Sequence, residues 1–447
     1  MRFRKSIWFI ILMISVQVKM NAQTKGGTIS LKEAVETALA NNLEVQQSGL
    51  QQERANVNLR QSKGDLLPTV NGNIEHTLNQ GRSIDLYTNS YINQQNTSAY
   101  YSLGADLTIF NGLRLLNTLR SNQFAYEASR MEWQQTKDRV MLDVMLAYLE
   151  ILNNNDLLAQ ATKSAEVTQK QVDRLIIMNE QGAIKPSDLS DLQGQLGESK
   201  LGIINAQNSL NAARLRLAQL MGVPYDENLE VQPLTADQFD MSYSATVDSI
   251  FQSALQQLSL VKGVDLRKKS AEKAVQAARG GLFPTIGIGA GYYTNYSSTA
   301  RDTANQKIAY YNQLSNNYST YAGVGVRIPI LNGLRARNNI ALAKINLKSA
   351  EFIAKNTEIQ LKQSIERDHL NMRSAVNRYR ALVEQVTALT ESFRAAEIRF
   401  NAGVGTPIDY LTAKNNLDRA NVNLIIARYD YLLRTKILDY YQSRPLF

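Results

Sequence analysis

The chain has 447 residues, no cysteine and a formal net charge of +9. Without cysteine it has no disulfide framework, no thiolate metal site and no cysteine that could carry a lipid. Four of its basic residues lie near the N-terminus, at Arg2, Arg4, Lys5 and Lys19, so the remainder carries only +5 (9 − 4). A charge this small on a long chain gives no indication of nucleic-acid binding.

The N-terminus has the pattern of a secretory signal peptide. A basic start is followed by an apolar run from Ile7 to Val18, and Ala22 offers a small residue for cleavage before Gln23. The alternative is an uncleaved anchor, which the short run disfavours because a membrane helix needs about 20 apolar residues. We therefore expect an exported protein.

The rest of the chain contains two copies of one pattern. Residues 111–114 (Asn-Gly-Leu-Arg) recur unchanged at 332–335, an offset of 221 (332 − 111). Residues 66–69 (Leu-Leu-Pro-Thr) recur as Leu-Phe-Pro-Thr at 282–285, an offset of 216 (282 − 66). Two copies of one supersecondary unit are therefore fused. The predicted division is a signal peptide at 1–22, a first repeat at 23–222, a linker at 223–246 and a second repeat at 247–447.

Each repeat is predicted to begin with a helical segment. Ser30 and Glu33 fit a capping box, and apolar residues then recur at helical spacing. Both segments are expected to stop before Pro68 and Pro284, because proline disfavours a helical residue before it.

After each proline the apolar period changes from about 3.6 to 2, which indicates strands. The apolar residues alternate with polar or small ones over about ten residues, as expected for a tilted strand of a membrane barrel. Taken alone, the pattern also fits a half-solvated sheet in a soluble domain. The strands are predicted at about 69–79, 100–110, 285–296 and 320–331, with polar loops at about 80–98 and 297–319.

Each strand pair is followed by a very long helical pattern. The stretches Gly112 to Gly182 and Gly333 to Gly403 contain no proline and are each 70 residues long (182 − 112; 403 − 333). At about 1.5 Å per residue such a helix is on the order of 100 Å long, and it must pack along its length to be stable. A plain coiled-coil spacer would not explain the four strands. The helices are predicted at about 113–181, 187–221, 334–402 and 408–441.

Four strands cannot close a barrel, because an open edge in lipid leaves backbone groups without hydrogen bonds. Two chains would give eight strands, whose interior is filled by side chains, whereas three chains would give twelve and leave room for water. The fold class predicted is an α+β membrane protein in which each repeat is a strand hairpin plus a very long helical hairpin.

The repeated motifs resemble those of the TolC family of outer-membrane efflux and secretion channels, over nearly the whole mature chain. The resemblance rests on both copies of the Leu/Phe-Pro pair, on Phe110-Asn111-Gly112 and Leu331-Asn332-Gly333, and on the glycine-containing turns at 181–188 and 401–409. It implies a homotrimer with a 12-strand β-barrel in outer-membrane lipid and an α-helical tunnel that extends into the periplasm. It also implies a tip opened by a periplasmic adaptor (a membrane fusion protein) and an inner-membrane transporter of RND or ABC type. The expected function is passive export in a tripartite efflux or type I secretion system.

The resemblance assigns candidate functional residues to the two turns that would form the tip. A ring of acidic residues matches Asp409, but its usual partner three positions later is Thr412, and the first copy instead offers Asp188 and Asp191. As a threefold ring these carboxylates would attract cations; the alternative is ordinary carboxylates of a helix first turn. The candidate adaptor-docking residues are Gly182, Ala183, Ile184, Pro186, Gly403, Val404, Thr406 and Pro407.

No catalytic constellation is recognisable in the sequence. His76 and His369 are the only histidines and lie far apart, and the glycines of 287–291 sit in an alternating strand with no helix after them. We therefore predict no enzyme activity, no cofactor and no resident metal. The alternative functions are a non-conducting trimeric structural or adhesive protein with a membrane anchor, and a soluble periplasmic scaffold. The cargo stays open among drugs, metal ions and polypeptides.

Overall fold

The structure is a computed structural model that describes residues 28–84, 89–93, 95–233 and 243–444. The predicted signal peptide at 1–22 and residues 234–242 of the predicted linker lie outside the described residues. Within the parts described, no helix combines the length and apolar character needed to cross a membrane.

The two halves of the chain contain the same succession of long helices and strands. The first half comprises α1 (Leu31–Asn41), α2 (Leu43–Gly64), β1 (Thr69–Asn79), β2 (Arg82–Ile84), β3 (Tyr91–Asn93), β4 (Asn96–Phe110), α3 (Arg114–Glu180) and α4 (Pro186–Met221). The second comprises α5 (Val247–Gln257), α6 (Ser259–Gly280), β5 (Thr285–Ser297), α7 (Tyr310–Asn316), β6 (Ser319–Arg327), α8 (Arg335–Asn401) and α9 (Pro407–Tyr441).

The first helical segment of each half is divided in two, which the helical pattern did not predict. The capping box at the start of α1 is present, since the Ser30 backbone N–H donates to Glu33 Oε2 at 2.9 Å. This hydrogen bond is the main reason why the pKa of Glu33 lies below its usual value. At Asn42 the backbone becomes extended, and its side-chain oxygen accepts from Glu44 N at 2.9 Å and so starts α2. The backbone is likewise extended at Leu258, which interrupts the second segment but provides no side-chain cap.

The four long strands form one antiparallel sheet in the order β1-β4-β5-β6, so β1 and β6 are its open edges. Strand β4 begins at Asn96, earlier than predicted, and β6 ends at Arg327 rather than near 331. Pro329 has no backbone N–H to donate, and the partner strand itself begins at Thr285, opposite Arg327. The predicted polar loops are also not wholly irregular, because they contain the β2–β3 pair and α7.

Tight turns connect the strands to the long helices. Leu113 and Leu334 precede α3 and α8 with φ of 61°, in the left-handed region. In the first turn Gly112 has φ of 66°, and a Cβ placed there would lie 2.5 Å from the Gly280 carbonyl oxygen. The start of α3 and the end of α6 therefore touch backbone to backbone, which only glycine allows.

The helices stand side by side in a single row. Near the sheet, α3 contacts α2 and α6, and α6 contacts α8, which gives the order α2-α3-α6-α8. In the distal half, α3 contacts α4 and α9, and α9 contacts α8, which gives the order α4-α3-α9-α8. The largest apolar cluster joins α1, α3, α4 and α9 between these halves. There the Tyr148 hydroxyl lies 3.0 Å from Ile29 O and 2.8 Å from Gln232 O.

Candidate functional site

The two turns that carry the predicted tip residues have the same backbone geometry. Each long helix ends on a glycine with positive φ, 68° at Gly182 and 74° at Gly403. The residue after each glycine donates its N–H five positions back, from Ala183 to Met178 O at 2.9 Å and from Val404 to Arg399 O at 3.1 Å. This is the Schellman pattern, in which glycine supplies the left-handed backbone conformation. A Cβ at either glycine would meet nothing within 4 Å, so φ and not space selects glycine.

The return helices start with proline in the first turn, at Pro186 and Pro407, but they are capped differently. Thr406 caps α9, since its hydroxyl oxygen accepts from Asp409 N at 3.1 Å. The same hydroxyl donates to Asp409 Oδ2 at 2.7 Å, which holds the carboxylate beside the turn. Lys185, at the corresponding position before α4, makes no side-chain cap.

The three candidate carboxylates lie in the first two turns of the return helices. Asp188 is half-buried, whereas Asp191 and Asp409 are exposed. Asp188 and Asp191 are three residues apart on α4 and so share one helix face, while Asp409 belongs to α9. Among the described residues no group of three or more carboxylate or histidine side chains is placed to hold a metal ion. Within one subunit the acidic groups are therefore arranged along the turns and not gathered at one point.

An apolar cluster packs the two turns against each other. Val172 and Leu175 of α3 and Leu192 and Leu196 of α4 form its centre, with side chains of α8 and α9 around it. Next to this cluster, the fully buried ring of Tyr410 stacks on Phe400 with centroids 5.0 Å apart. Burial, with help from the carboxylates of Glu397 and Asp418, raises the pKa of Tyr410 above its usual value. Both turns thus lie at the same end of the helical row, the end away from the sheet.

A polar contact joins the second turn to the first hairpin. Arg174 Nη2 donates to the backbone oxygen of Asn401 at 2.9 Å, and its other terminal nitrogen donates to the Asn401 side chain. Asn401 is the last residue of α8, so this arginine on α3 ties the two long helices together just before they turn.

A second polar contact lies farther from the turns, between α3 and α9. Lys414 is only 3% exposed, and its Nζ donates to Asp418 Oδ2 at 2.5 Å and to Ser164 Oγ at 2.6 Å. Ser164 and Gln160 of α3 also donate to Asp418, at 2.7 and 3.3 Å. We call these four residues the α3–α9 tie. Sequence reasoning missed it, although a lysine within an apolar helix seam followed by aspartate four residues later was a usable signal.

The remaining residues that the sequence singled out are not brought into this site. His76 lies in the sheet, where its Nε2 is 2.9 Å from the Tyr101 hydroxyl. His369 lies on α8 with its Nε2 3.3 Å from Ala245 O. The glycines of 287–291 belong to β5.

Comparison with known proteins agrees with this architecture. Residues 34–223 and 250–438 match the family described as outer membrane efflux protein, once for each half of the chain. The chain is 23% identical over 412 residues to outer membrane protein TolC of Escherichia coli, covering 90% of this chain and 80% of that protein. It is 21% identical to toxin and drug export protein A of Aggregatibacter actinomycetemcomitans, covering 90% and 83% respectively.

Solved structures show the same fold. The crystal structure of CusC, described in terms of folding and transmembrane channel formation, superposes with a TM-score of 0.81 at 16% identity, covering 93% of this chain and 92% of that one. The family match spans most of the chain in both halves, and the predicted resemblance is confirmed. The chain therefore belongs to the outer membrane efflux protein family, and it is an outer-membrane export channel and not an enzyme.

Proposed function

We propose that three copies of this chain form one passive export duct, with a twelve-strand barrel in the outer membrane and a twelve-helix tunnel in the periplasm. A periplasmic adaptor and an inner-membrane transporter of RND or ABC type open its tip. The observation that carries this proposal is that both the sheet and the helical row end on unpaired elements, β1 with α2 on one side and β6 with α8 on the other. The predicted division into signal peptide, two repeats and linker is part of the proposal.

The contact between the halves of one chain supports repetition around an axis. Inside the chain, Gly112 at the start of α3 touches Gly280 at the end of α6. The repeat offsets make Gly333 and Gly64 their equivalents, and a Cβ at either of these would meet nothing within 4 Å. These two glycines lie at opposite ends of the row, Gly333 in the turn before α8 and Gly64 at the end of α2. A neighbouring subunit would bring Gly64 against Gly333, as Gly280 lies against Gly112.

Apolar side chains at both ends of the row support the same contact. Helix α8 exposes the large apolar side chains of Leu342, Ile345 and Phe352, which are 59%, 63% and 61% exposed in the single chain. At the other end α2 exposes Leu50 and Val57. Exposed apolar surface of this extent on neighbouring helix turns indicates an interface.

The sheet supports a membrane position. Its apolar face exposes Val70, Ile74, Leu103, Val324 and Val326, with Ile74 73% exposed. The opposite face carries mainly asparagine, threonine, serine and glycine, together with the carboxylates of Glu75 and Asp106 and the rings of Tyr100, Tyr293 and Tyr321. In a closed barrel the first face would contact lipid and the second would line a water-filled passage.

At the tip we propose that Asp188, Asp191 and Asp409 of three subunits form a cation-attracting ring. The Thr406 hydroxyl supports this role for Asp409 because it fixes the carboxylate at the turn. The adaptor would dock on the two turns, where Ala183 and Val404 are exposed. Ala183→Glu keeps the glycine backbone intact, and it should abolish export while trimers still assemble. Normal export by this variant would remove the turns as the docking surface.

The experiment that tests the duct is ion conduction by the purified protein in planar bilayers. We expect the unchanged protein to form discrete channels that prefer cations and are blocked by divalent ions. Both the cation preference and the block should be weaker when Asp188, Asp191 and Asp409 are changed to asparagine. Glu36→Gln on α1, an exposed carboxylate far from the turns, serves as the control. An unchanged reversal potential would remove the ring. A trimer that never conducts, even with the three aspartates neutralised, would favour a structural or adhesive protein instead.

A further inference from the structure

Helix α7 lies where the sequence predicted only a polar loop, and it packs against the outer end of the sheet. It belongs to the connection between β5 and β6, on the side of the sheet away from the long helices. Thr294 Oγ1 of β5 donates to Leu314 O at 2.7 Å, and the ring of Tyr296 lies 4.5 Å from that of Tyr310 between centroids. The helix therefore covers the side of β5 to which Thr294 and Tyr296 point.

A buried glutamine fixes this position. Gln313 of α7 is only 1% exposed. Its side-chain oxygen accepts from Ser297 N at 2.9 Å, and its nitrogen donates to Ser297 O at 3.0 Å and to Ile308 O at 2.9 Å. Asn317 adds a bond from its side-chain nitrogen to Asn295 O at 3.0 Å. A seven-residue helix is not stable by itself, so these tertiary hydrogen bonds hold it in place.

The strand register identifies the covered face as the apolar one. Residues directly opposite in neighbouring strands point to the same face. Thr294 is opposite Tyr101, which is in turn opposite Ile74. Two residues along β5, Tyr292 is opposite Leu103 on that same face. Helix α7 thus lies on the face that the proposed function places in lipid, and not on the face of the passage.

Aromatic side chains concentrate where α7 meets this face. The Tyr310 hydroxyl hydrogen-bonds the Tyr101 hydroxyl and lies 3.3 Å from His76 Nε2. Tyr311 of α7 meets the Tyr310 ring edge-on, with centroids 5.6 Å apart, and is 80% exposed. Tyr318, which lies between α7 and β6, stacks on Tyr292 and is also exposed. Tyrosine, with an apolar ring and a polar hydroxyl, is enriched where lipid chains meet headgroups.

The height of the helix fits that boundary. Ten residues of β5 separate Ile286, at the helical end of the apolar face, from Tyr296 beneath α7 (296 − 286). At about 3.3 Å per residue they span about 33 Å along the strand, which a tilt of about 40° reduces to about 25 Å. This equals the usual height of the apolar band of an outer-membrane barrel, about 25 Å. Helix α7 therefore stands at the upper rim of the band.

We propose that α7 is an interfacial anchor, which lies on the outside of the barrel and inserts Tyr311, together with Tyr318 just after the helix, at the headgroup boundary of the outer leaflet. The partner is the lipid surface itself. The anchor fixes how deeply the barrel sits and does so once per subunit, because the first repeat has the β2–β3 pair in the corresponding connection. The inference rests on the proposed function, since it needs the apolar face to contact lipid.

The test uses tryptophan as a depth reporter in the trimer reconstituted into phosphatidylcholine vesicles. Trp133 is changed to phenylalanine so that the reporter is the only fluorophore of its kind in the mature chain. Separate variants carry Tyr311→Trp on the anchor, Leu103→Trp in the middle of the apolar face, and Tyr293→Trp on the opposite face. Tyr293 lies at the same height in the sheet as Leu103, because it adjoins Tyr292, which is opposite Leu103. Its ring stacks on Tyr100, also on the opposite face, with centroids 6.0 Å apart, so it serves as the matched control.

We expect lipids brominated near the headgroup to lower the emission of the residue-311 reporter at least twofold, and lipids brominated near the chain ends to affect it little. The residue-103 reporter should show the reverse preference, and the residue-293 reporter should respond to aqueous acrylamide but to neither lipid. If residue 103 is quenched by lipid and residue 311 only by acrylamide, the anchor is wrong while the barrel stands. If residue 103 is not quenched by either lipid, the proposed function itself fails.

A second variant tests the origin of the anchoring. Gln313→Ala removes the hydrogen bonds that hold α7 but leaves all of its tyrosines. We expect acrylamide quenching of the residue-311 reporter to rise at least twofold in this background, with no change for residue 103. Unchanged quenching at residue 311 would show that Gln313 does not position the helix and would overturn this part of the proposal.

Discussion

Gly64→Ala should change stability in opposite directions in the isolated subunit and in the assembled trimer. In the single chain a Cβ at Gly64 meets nothing within 4 Å. Gly64 is the last residue of α2, and alanine is favoured over glycine in helices by up to about 1 kcal/mol. The substitution should therefore be neutral or mildly stabilising for a free subunit.

In the trimer the same substitution should be destabilising, because Gly64 would then have the surroundings of its equivalent, Gly280. A Cβ at Gly280 would lie 2.8 Å from Gly112 O and 2.8 Å from Arg114 Cβ, closer than normal contacts allow. Overpacking of this kind costs about 1–3 kcal/mol per site. Three interfaces then give about 3–9 kcal/mol per trimer, or about two to six orders of magnitude in the assembly constant.

The assay is the temperature and the dilution at which the trimer in detergent dissociates, read by native mass spectrometry or light scattering. Lys63→Ala is the matched control, since Arg279, its equivalent beside Gly280, is exposed and Lys63 should be exposed in the trimer too. Gly280→Ala should instead lower the unfolding temperature of the subunit itself. If Gly64→Ala trimers dissociate as the unchanged protein does, the equivalence between the internal and the subunit interface is refuted.

Three further predictions concern the helices. Lys414→Met leaves Asp418 without its cation and should lower the free energy of unfolding, measured by chemical denaturation, by about 1–3 kcal/mol. The double variant Lys414→Met with Asp418→Leu should recover most of this loss. No recovery would mean that the two residues are not coupled. Arg174→Ala breaks the contact to Asn401 and should raise the conductance of the closed duct in planar bilayers, while unchanged conductance would exclude this contact as a restraint. Burial raises the pKa of Tyr148 to about 12 from about 10 in an unfolded chain. The protonated hydroxyl therefore stabilises the fold by about 3 kcal/mol relative to the ionised one, since the pKa is about 12 and not about 10. This contribution is complete below about pH 10 and is lost as pH rises from about 10 to 12. Tyr148→Phe should flatten this part of the stability profile, and the same profile in both proteins would count against this role.

Elements marked by local chemistry are the ones that the sequence could predict. Glycine and proline at 182 and 186 end one helix and start the next because each restricts or frees backbone dihedrals, whatever the rest of the chain does. Strict alternation in β5 has the same local origin. The resemblance to the TolC family then added what the residues alone leave open, including the assignment of the turns to a tip.

Elements held by distant contacts could not be predicted in this way. Helix α7 is too short to show a period, and it depends on Gln313 reaching the backbone of Ser297 across a turn. The helix break at Leu258 has no capping side chain by which it could be predicted. Lys414 hydrogen-bonds Ser164, which is 250 residues away in the sequence, and local patterns contain no information on such a contact.

The α3–α9 tie distinguishes the contact between the two helical hairpins of one chain from the contact between hairpins of neighbouring chains. At the repeat offset of 221, the counterparts of Lys414 and Asp418 in the first half are Gln193 and Gly197 (414 − 221; 418 − 221), which cannot form an ion pair. In the proposed trimer, the contact between the two hairpins of one chain therefore contains the ion pair of Lys414 with Asp418, while the contact between hairpins of neighbouring chains lacks it. When the tip opens, the hairpins should separate at the three contacts between chains and stay together at the three contacts within chains. Larger changes in spin-label distance within chains than between chains on opening would contradict this.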